Sequence, residues 1–182
     1  MVEIPVYGAG NIRKIEDVKK TLYAGCKGAI LDGSRHDIVQ IAQEASQRFG
    51  KEKLLVSMET VDLLFKHRDE AKEHIHKLVV LNENIIEALA NITDIPFSVI
   101  VSGYGLGRWA EILKRDCVTG IGGDYVSSPG TDILALKRNL AAEGIQTRKF
   151  VSSIPWDEFK LNGDGLIPVI VQEYQTCEVL ML

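Results

Sequence analysis

The sequence predicts an α/β fold: a partial (βα)8 barrel of the TIM type, with about six of the eight βα units on parallel strands, followed by a C-terminal β-hairpin. Three observations predict it. Short, continuously apolar runs alternate with longer segments whose apolar residues recur at helical spacing, as expected of strands buried on both faces and crossed over by amphipathic helices. Glycines stand at most junctions, where the chain has to turn. A faint internal echo links the first and fifth units: Ile4-Pro5 recurs as Ile95-Pro96, Leu22 as Leu113 and Cys26 as Cys117, all at one offset. Four βα units separate the copies, half of an eight-unit barrel, which favours a barrel over an open doubly wound sheet.

The elements follow in order. "EIPVYGAGN" is a short apolar run ending in glycines, and "IRKIEDVKKTLYAG" is a helix with Ile15, Val18, Leu22 and Tyr23 at helical spacing and Gly25 as its stop. "KGAILDGS" is the second strand. "DIVQIAQEASQRFG" is the next helix, with Asp37 as its cap and Gly50 as its end. "KLLVSME" is the third strand, and a helix over about 61–76 carries Leu64, Phe65, Arg68, Ala71 and Ile75 on one face. Then come "KLVVLN", the helix "NIIEALANI", "PFSVIVSG", the helix "LGRWAEILKRD", a loose sixth strand "VTGIGGDYVSS" and the helix "TDILALKRNLAAEG". The rhythm stops near Ile145. Residues 1–145 thus read as the barrel domain, 146–160 as a linker and 161–182 as the start of another domain. In that last part Asn162 to Asp164 reads as a turn, Leu166 to Val171 as a β-rich run, Tyr174 to Glu178 as a second turn and Val179 to Leu182 as a returning strand.

Composition excludes several classes. With 46% hydrophobic and 25% charged residues the chain is neither disordered nor fibrous. The net charge of −4 is spread over interleaved acids and bases, with no basic stripe to neutralise phosphates, so nucleic acid is not an expected partner. No apolar run approaches the ~20 residues of a membrane span, and "MVEIPVYGAG" does not read as a signal peptide. The three cysteines, Cys26, Cys117 and Cys177, are far apart and odd in number, without a C-x-x-C pair. Reduced thiols in the cytoplasm are the expectation.

Two glycine clusters at strand ends are candidate phosphate seats: Gly8, Gly10 and Asn11 before the first helix, and Ser102, Gly103, Gly105 and Gly107 before Trp109. Glycine lets backbone N–H groups approach an anion, and a helix N-terminus adds unpaired donors; the same glycines also suit tight βα turns. Asp32 and Asp124 end or follow strands on the active-site side of a barrel, and read as turn or capping residues. His67, His74 and His76 do not make a metal set, since His74 and His76, two apart on a helix, point to opposite sides. His36 reads as a surface residue. No metal site is expected on this chain.

The segment "IPVYGAGNIRKIEDVKKTLYAGCKGAILDGS…DIVQIAQEASQRFGKEKLLVSME" resembles the histidine-biosynthesis barrels, the cyclase subunit of imidazole glycerol phosphate synthase and its sister isomerase. The matching pieces are "GAGNIRKIED", "YAG", "RFG" and "VSME", and the first strand here matches the family's third. The resemblance implies phosphate-binding loops at the two glycine clusters. It places Glu59 where the family ends its fifth strand in a catalytic aspartate, a degenerate position one methylene too long, and leaves no catalytic residue expected in this chain. The tail "GDGLIPVIVQEYQTCEVLML" resembles the opening hairpin of phosphoribosyl-AMP cyclohydrolases, with G-L-[IL]-P-x-[IV]-V-Q followed by T-G-E-V-L-M-L. Cys177 replaces the turn glycine of that pattern, which implies a changed turn type.

Together the two segments resemble the N-terminal part of bifunctional cyclohydrolase–phosphoribosyl-ATP pyrophosphohydrolases that carry a degenerate barrel. The resemblance implies histidine biosynthesis, a cytoplasmic homodimeric parent, and a phosphorylated ribosyl nucleotide or phosphosugar as the ligand. It also implies zinc and magnesium sites in the cyclohydrolase part not contained here, so that this chain reads as an inactive internal fragment. The competing expectation is a non-catalytic phosphosugar-binding or scaffolding barrel; an active isomerase or cyclase ranks last.

Overall fold

The computed structural model describes residues 4–148, 154–173 and 175–181. The middle of the predicted linker (149–153), Tyr174 of the second turn and Leu182 of the tail lie outside the described residues, as does the side chain of Phe65. The chain divides into two compact units, Met1–Thr147 and Arg148–Leu182.

In the first unit six strands form one sheet: β1 (Tyr7–Ala9), β2 (Gly28–Asp32), β3 (Leu54–Met58), β4 (Lys77–Val80), β5 (Phe97–Ile100) and β6 (Val118–Gly122). Their spatial order is their order in sequence, and every neighbouring pair is parallel. An open doubly wound sheet reverses its order at a switch point. None occurs here, so the sheet is a half-barrel of (βα)8 winding, as the sequence predicts. Helices α1 (Ile15–Tyr23), α2 (Ile38–Phe49), α3 (Asp62–His74), α4 (Ile86–Ile92) and α5 (Leu106–Leu113) connect the strands, and α6 (Asp124–Ser127) and α7 (Ile133–Ala142) follow β6. The echoed residues occupy corresponding places: Ile-Pro leads into β1 and β5, Leu22 and Leu113 lie in the last turns of α1 and α5, and the cysteines precede β2 and β6.

Successive strand side chains point to opposite faces, and the two faces differ. On the helix side Ala29, Leu31, Leu54, Val56, Met58, Leu78, Val80, Phe97 and Val99 are at most 2% exposed. They share one core with Val18, Ile38, Leu64, Leu89, Trp109 and Leu140 of the helices. The concave face is half open: Ile30, Ser57, Lys77, Val79 and Ser98 are partly exposed, and Tyr7, Ile100 and Thr119 are exposed. A closed barrel would pack these positions in layers. Two glycines let the turns after β2 and β6 lie close against the backbone beside them. A Cβ on Gly33 would collide with the Ser57 carbonyl oxygen, and one on Gly123 with that of Val101.

Several local expectations need correction. Asp37 stands before α2 but makes no cap bond; its carboxylate takes Nε and Nη2 of Arg35 at 2.9 and 2.7 Å, because a bidentate charged pair outcompetes a single backbone donor. Gly25 and Gly50 do end α1 and α2, with φ of 96° and 88°. His74 and His76 do not share a helix, since α3 ends at His74 and Ile75 is extended. The His74 ring pairs with Ser46 Oγ at 2.9 Å, and His67 with Glu70 at 2.8 Å. The "DYVSS" segment is the short helix α6 and not strand.

In the second unit Pro155 opens a helical turn, Trp156–Glu158, whose Trp156 ring lies 5.9 Å from that of Phe159. Asn162 organises the predicted turn, its Oδ1 accepting the N–H groups of Asp164 and Leu166 at 3.0 and 2.8 Å. The predicted strand over Leu166 to Val171 shrinks to β7 (Val171–Gln172), antiparallel to β8 (Val179–Met181). Pro168 has no N–H for a ladder, and Leu166, Val169 and Ile170 are exposed. The Glu173 carboxylate holds the hairpin turn, accepting the N–H groups of Gln175 and Thr176 at 2.7 and 2.6 Å. Cys177 has φ 58°. Cysteine here carries a positive φ of the kind that suits glycine.

Candidate functional site

Parallel strands bring their carboxyl ends to one rim, where (βα)8 proteins assemble their sites. At that rim β1 runs out into Gly10 and Asn11, with φ of 107° and 46°. Backbone geometry selects these residues. A Cβ on Gly10 would meet nothing within 4 Å, but only glycine and, less freely, asparagine enter this region without strain. Gly10, Asn11 and Asp32 border a cavity of about 340 Å³ whose floor is the concave face, with Ile30, Val79 and Ile100. Gly8 does not reach that rim: it lies inside β1, where an added Cβ would collide with Thr21 Cγ2 of α1. Its place is explained by close strand–helix approach.

The Asp32 carboxylate is committed to its turn. Oδ1 accepts the Ser34 N–H at 2.9 Å and the Ser34 hydroxyl at 2.7 Å. The Ser34 N–H above all, then the hydroxyl and the nearby Arg35 charge, hold the Asp32 carboxyl below the usual aspartate range against the opposing effect of burial. Asp124 opens the short helix α6 behind Gly123. Asp32 thus holds a turn as expected, whereas Asp124 is the first residue of its helix, Gly123 stands at the cap, and no side-chain cap bond forms there.

The second glycine cluster follows β5. Gly103 has φ 65°, Gly105 is the residue before α5, and Gly107 lies in the first turn of that helix. An added Cβ on Gly103 or Gly107 would touch nothing within 4 Å, so crowding explains neither. The Ser102 N–H already has a partner, donating to Glu83 Oε1 at 3.2 Å. Arg108 of α5 forms an ion pair with Glu83 Oε2. The Glu83 side chain is only 12% exposed, against 58% for Arg108. A tied-down turn presents Glu83: Asn82 Oδ1 accepts the Asn84 N–H at 3.1 Å, and Asn82 Nδ2 donates to the Glu59 carbonyl at 3.2 Å. Glu59, Thr60, Asn82, Ser102 and Arg108 border a wider cavity of about 540 Å³. Glu59, likened in the sequence to a catalytic position of the barrels it resembles, is exposed there. Tyr104, between the glycines, packs edge-on 5.4 Å from the buried Trp109 ring and tilted 4.7 Å from that of Tyr125.

The sequence reading missed Glu83 and Arg108. Their only trace was a carboxylate after the fourth strand and a cation after the third glycine of "GYGLGR". Nothing in that spacing announces that the two meet. Among the described residues no three His, Cys, Asp or Glu side chains come together as a metal would need. Those residues therefore offer no ligand set that fits zinc or magnesium. The three cysteines are free thiols, and among the described residues no helix is long and apolar enough to cross a membrane. No protein-family model matches the chain, and no curated protein matches it.

Proposed function

We propose that the first unit is a non-catalytic barrel module that seats the phosphate of a phosphosugar or ribosyl nucleotide. The observation that carries this is the Gly10–Asn11 turn, two successive residues of positive φ at the border of the cavity on the concave face. Left-handed turns at strand ends present backbone N–H groups to an anion with little side chain in the way. The apolar floor of Ile30, Val79 and Ile100 suits the carbon face of a sugar. Titration with a ribulose phosphate, followed by amide shifts, tests it. Saturable shifts at Gly10 and Asn11 are expected; none at millimolar ligand rejects the module.

The tail motif supports a second statement, that the module belongs to cytoplasmic histidine biosynthesis, in a homodimeric protein that opens the purine ring of phosphoribosyl-AMP and also cleaves phosphoribosyl-ATP. Two details favour it: "GDGLIPVIVQ…TCEVLML" matches the family's opening hairpin, and the antiparallel β7–β8 pair turns through a residue of positive φ where the family has glycine. This chain holds no cluster of metal ligands among its described residues and is expected not to turn over phosphoribosyl-AMP. Turnover by the purified chain with added zinc would refute that.

A further inference from the structure

The two glycine loops differ in one respect: the loop after β5 already holds an anion, supplied by the protein. Glu83 comes from the turn after β4; one carboxylate oxygen takes the Ser102 N–H, and the other lies against the Arg108 guanidinium as an ion pair without a hydrogen bond of its own. Oε2 has no access to solvent. The N–H donor at the strand end and the cation on α5 are the groups a bound phosphate would use. A largely buried carboxylate held against both occupies the place that an anion would take. The Asn82 bonds to the Asn84 N–H and the Glu59 carbonyl hold the turn in place, so Glu83 is presented by an ordered segment.

We propose that Glu83 is a specificity-determining residue, a built-in anion that closes the β5 loop to phosphate and leaves the β1 loop as the seat for the ligand's phosphate. This deepens the phosphate-seat reading given above and rests on it. A phosphate approaching Ser102 meets a like charge at hydrogen-bond distance from the donor it needs, and Arg108 is already neutralised. Replacing the carboxylate by its neutral isostere removes the repulsion and releases the Arg108 charge with little change of shape.

The test is titration of the full chain with inorganic phosphate, reading the amide shifts of Gly10, Asn11, Ser102 and Gly103. In the wild-type chain the Ser102 and Gly103 amides should stay still at concentrations that saturate any shift at Gly10. In Glu83→Gln the Ser102 and Gly103 amides should shift saturably, with affinity at least tenfold above the wild-type limit, and adding Arg108→Gln should take most of that gain away. Wild-type shifts at Ser102 equal to those of Glu83→Gln would overturn the proposal, as would a folded Glu83→Gln chain that gains nothing. The wild-type arm stands even where the variant does not fold, because a saturable shift at Ser102 in the unaltered chain defeats the proposal alone. A motionless Gly10 amide in every chain rejects the β1 seat and with it the claim that Glu83 directs phosphate there, whereas gain at Ser102 still separates an occupied loop from an inert one.

Discussion

Cys177 carries a backbone conformation that its side chain disfavours. At φ 58° an L-residue other than glycine crowds its Cβ against the following carbonyl, at a cost of roughly 1–2 kcal/mol. Glycine is free of that crowding but loses more chain entropy on ordering. Cys177→Gly should therefore stabilise the β7–β8 hairpin by about 1 kcal/mol, while Cys177→Ala should leave it unchanged. Slower amide exchange at Gln172 and Val179 in the glycine variant alone is the expected reading; equal exchange in both variants removes the strain. Residues of this kind were legible in the sequence wherever conformation alone decides them. Gly25 and Gly50 could be read as helix ends because positive φ admits few alternatives. Asp37 could not be read correctly, because its cap role competes with an Arg35 fork two residues away. Glu83 could not be read at all, because its partners Ser102 and Arg108 reach it only through the fold.

At the scale of elements, alternation decides what was readable. The apolar runs of β2 to β5 were plain because their helix-facing residues are buried completely. The four residues of α6 are too few to show a helical period, so they merged with the sixth strand. β4 shows what alternation also conceals. Lys77 shares the parity of Val79, which floors the concave cavity, so its ammonium is half-buried on that face. Burial lowers the Lys77 pKa. The sign follows from linkage: the unfolded chain holds the proton more tightly, so this group opposes folding at neutral pH, and the penalty fades as pH rises through its folded pKa towards the ordinary lysine value. Lys77→Met should raise the melting temperature at pH 7, by ~2–4 °C for each kcal/mol relieved in a chain of this size. The gain should shrink in alkaline buffer. A gain that does not depend on pH would point to packing instead.

The whole first unit is a sheet wound as a barrel whose end strands do not meet. Among the described residues β1 and β6 each have one neighbour, and unpaired parallel edges are templates for pairing with another chain. β6 departs from regular pairing at one place, the register shift at Thr119, and otherwise Val118, Thr119 and Ile121 are interspersed with Gly120 and Gly122, with neither charge nor proline among them. The second unit adds exposed Val169, Ile170, Leu180 and Met181. The chain should therefore associate with itself as its concentration rises, and sedimentation velocity should show the weight-average mass climbing. A sharp melt from a monomer that ignores concentration would contradict this. The two sources separate with one substitution. Thr119→Lys sets a charge on the exposed concave side of β6, the device natural edge strands use against pairing. It leaves Val118 and the helix-facing core untouched. If the edge drives association, the variant stays monomeric at concentrations where the parent chain self-associates; if both associate equally, the apolar hairpin of the second unit carries the contact.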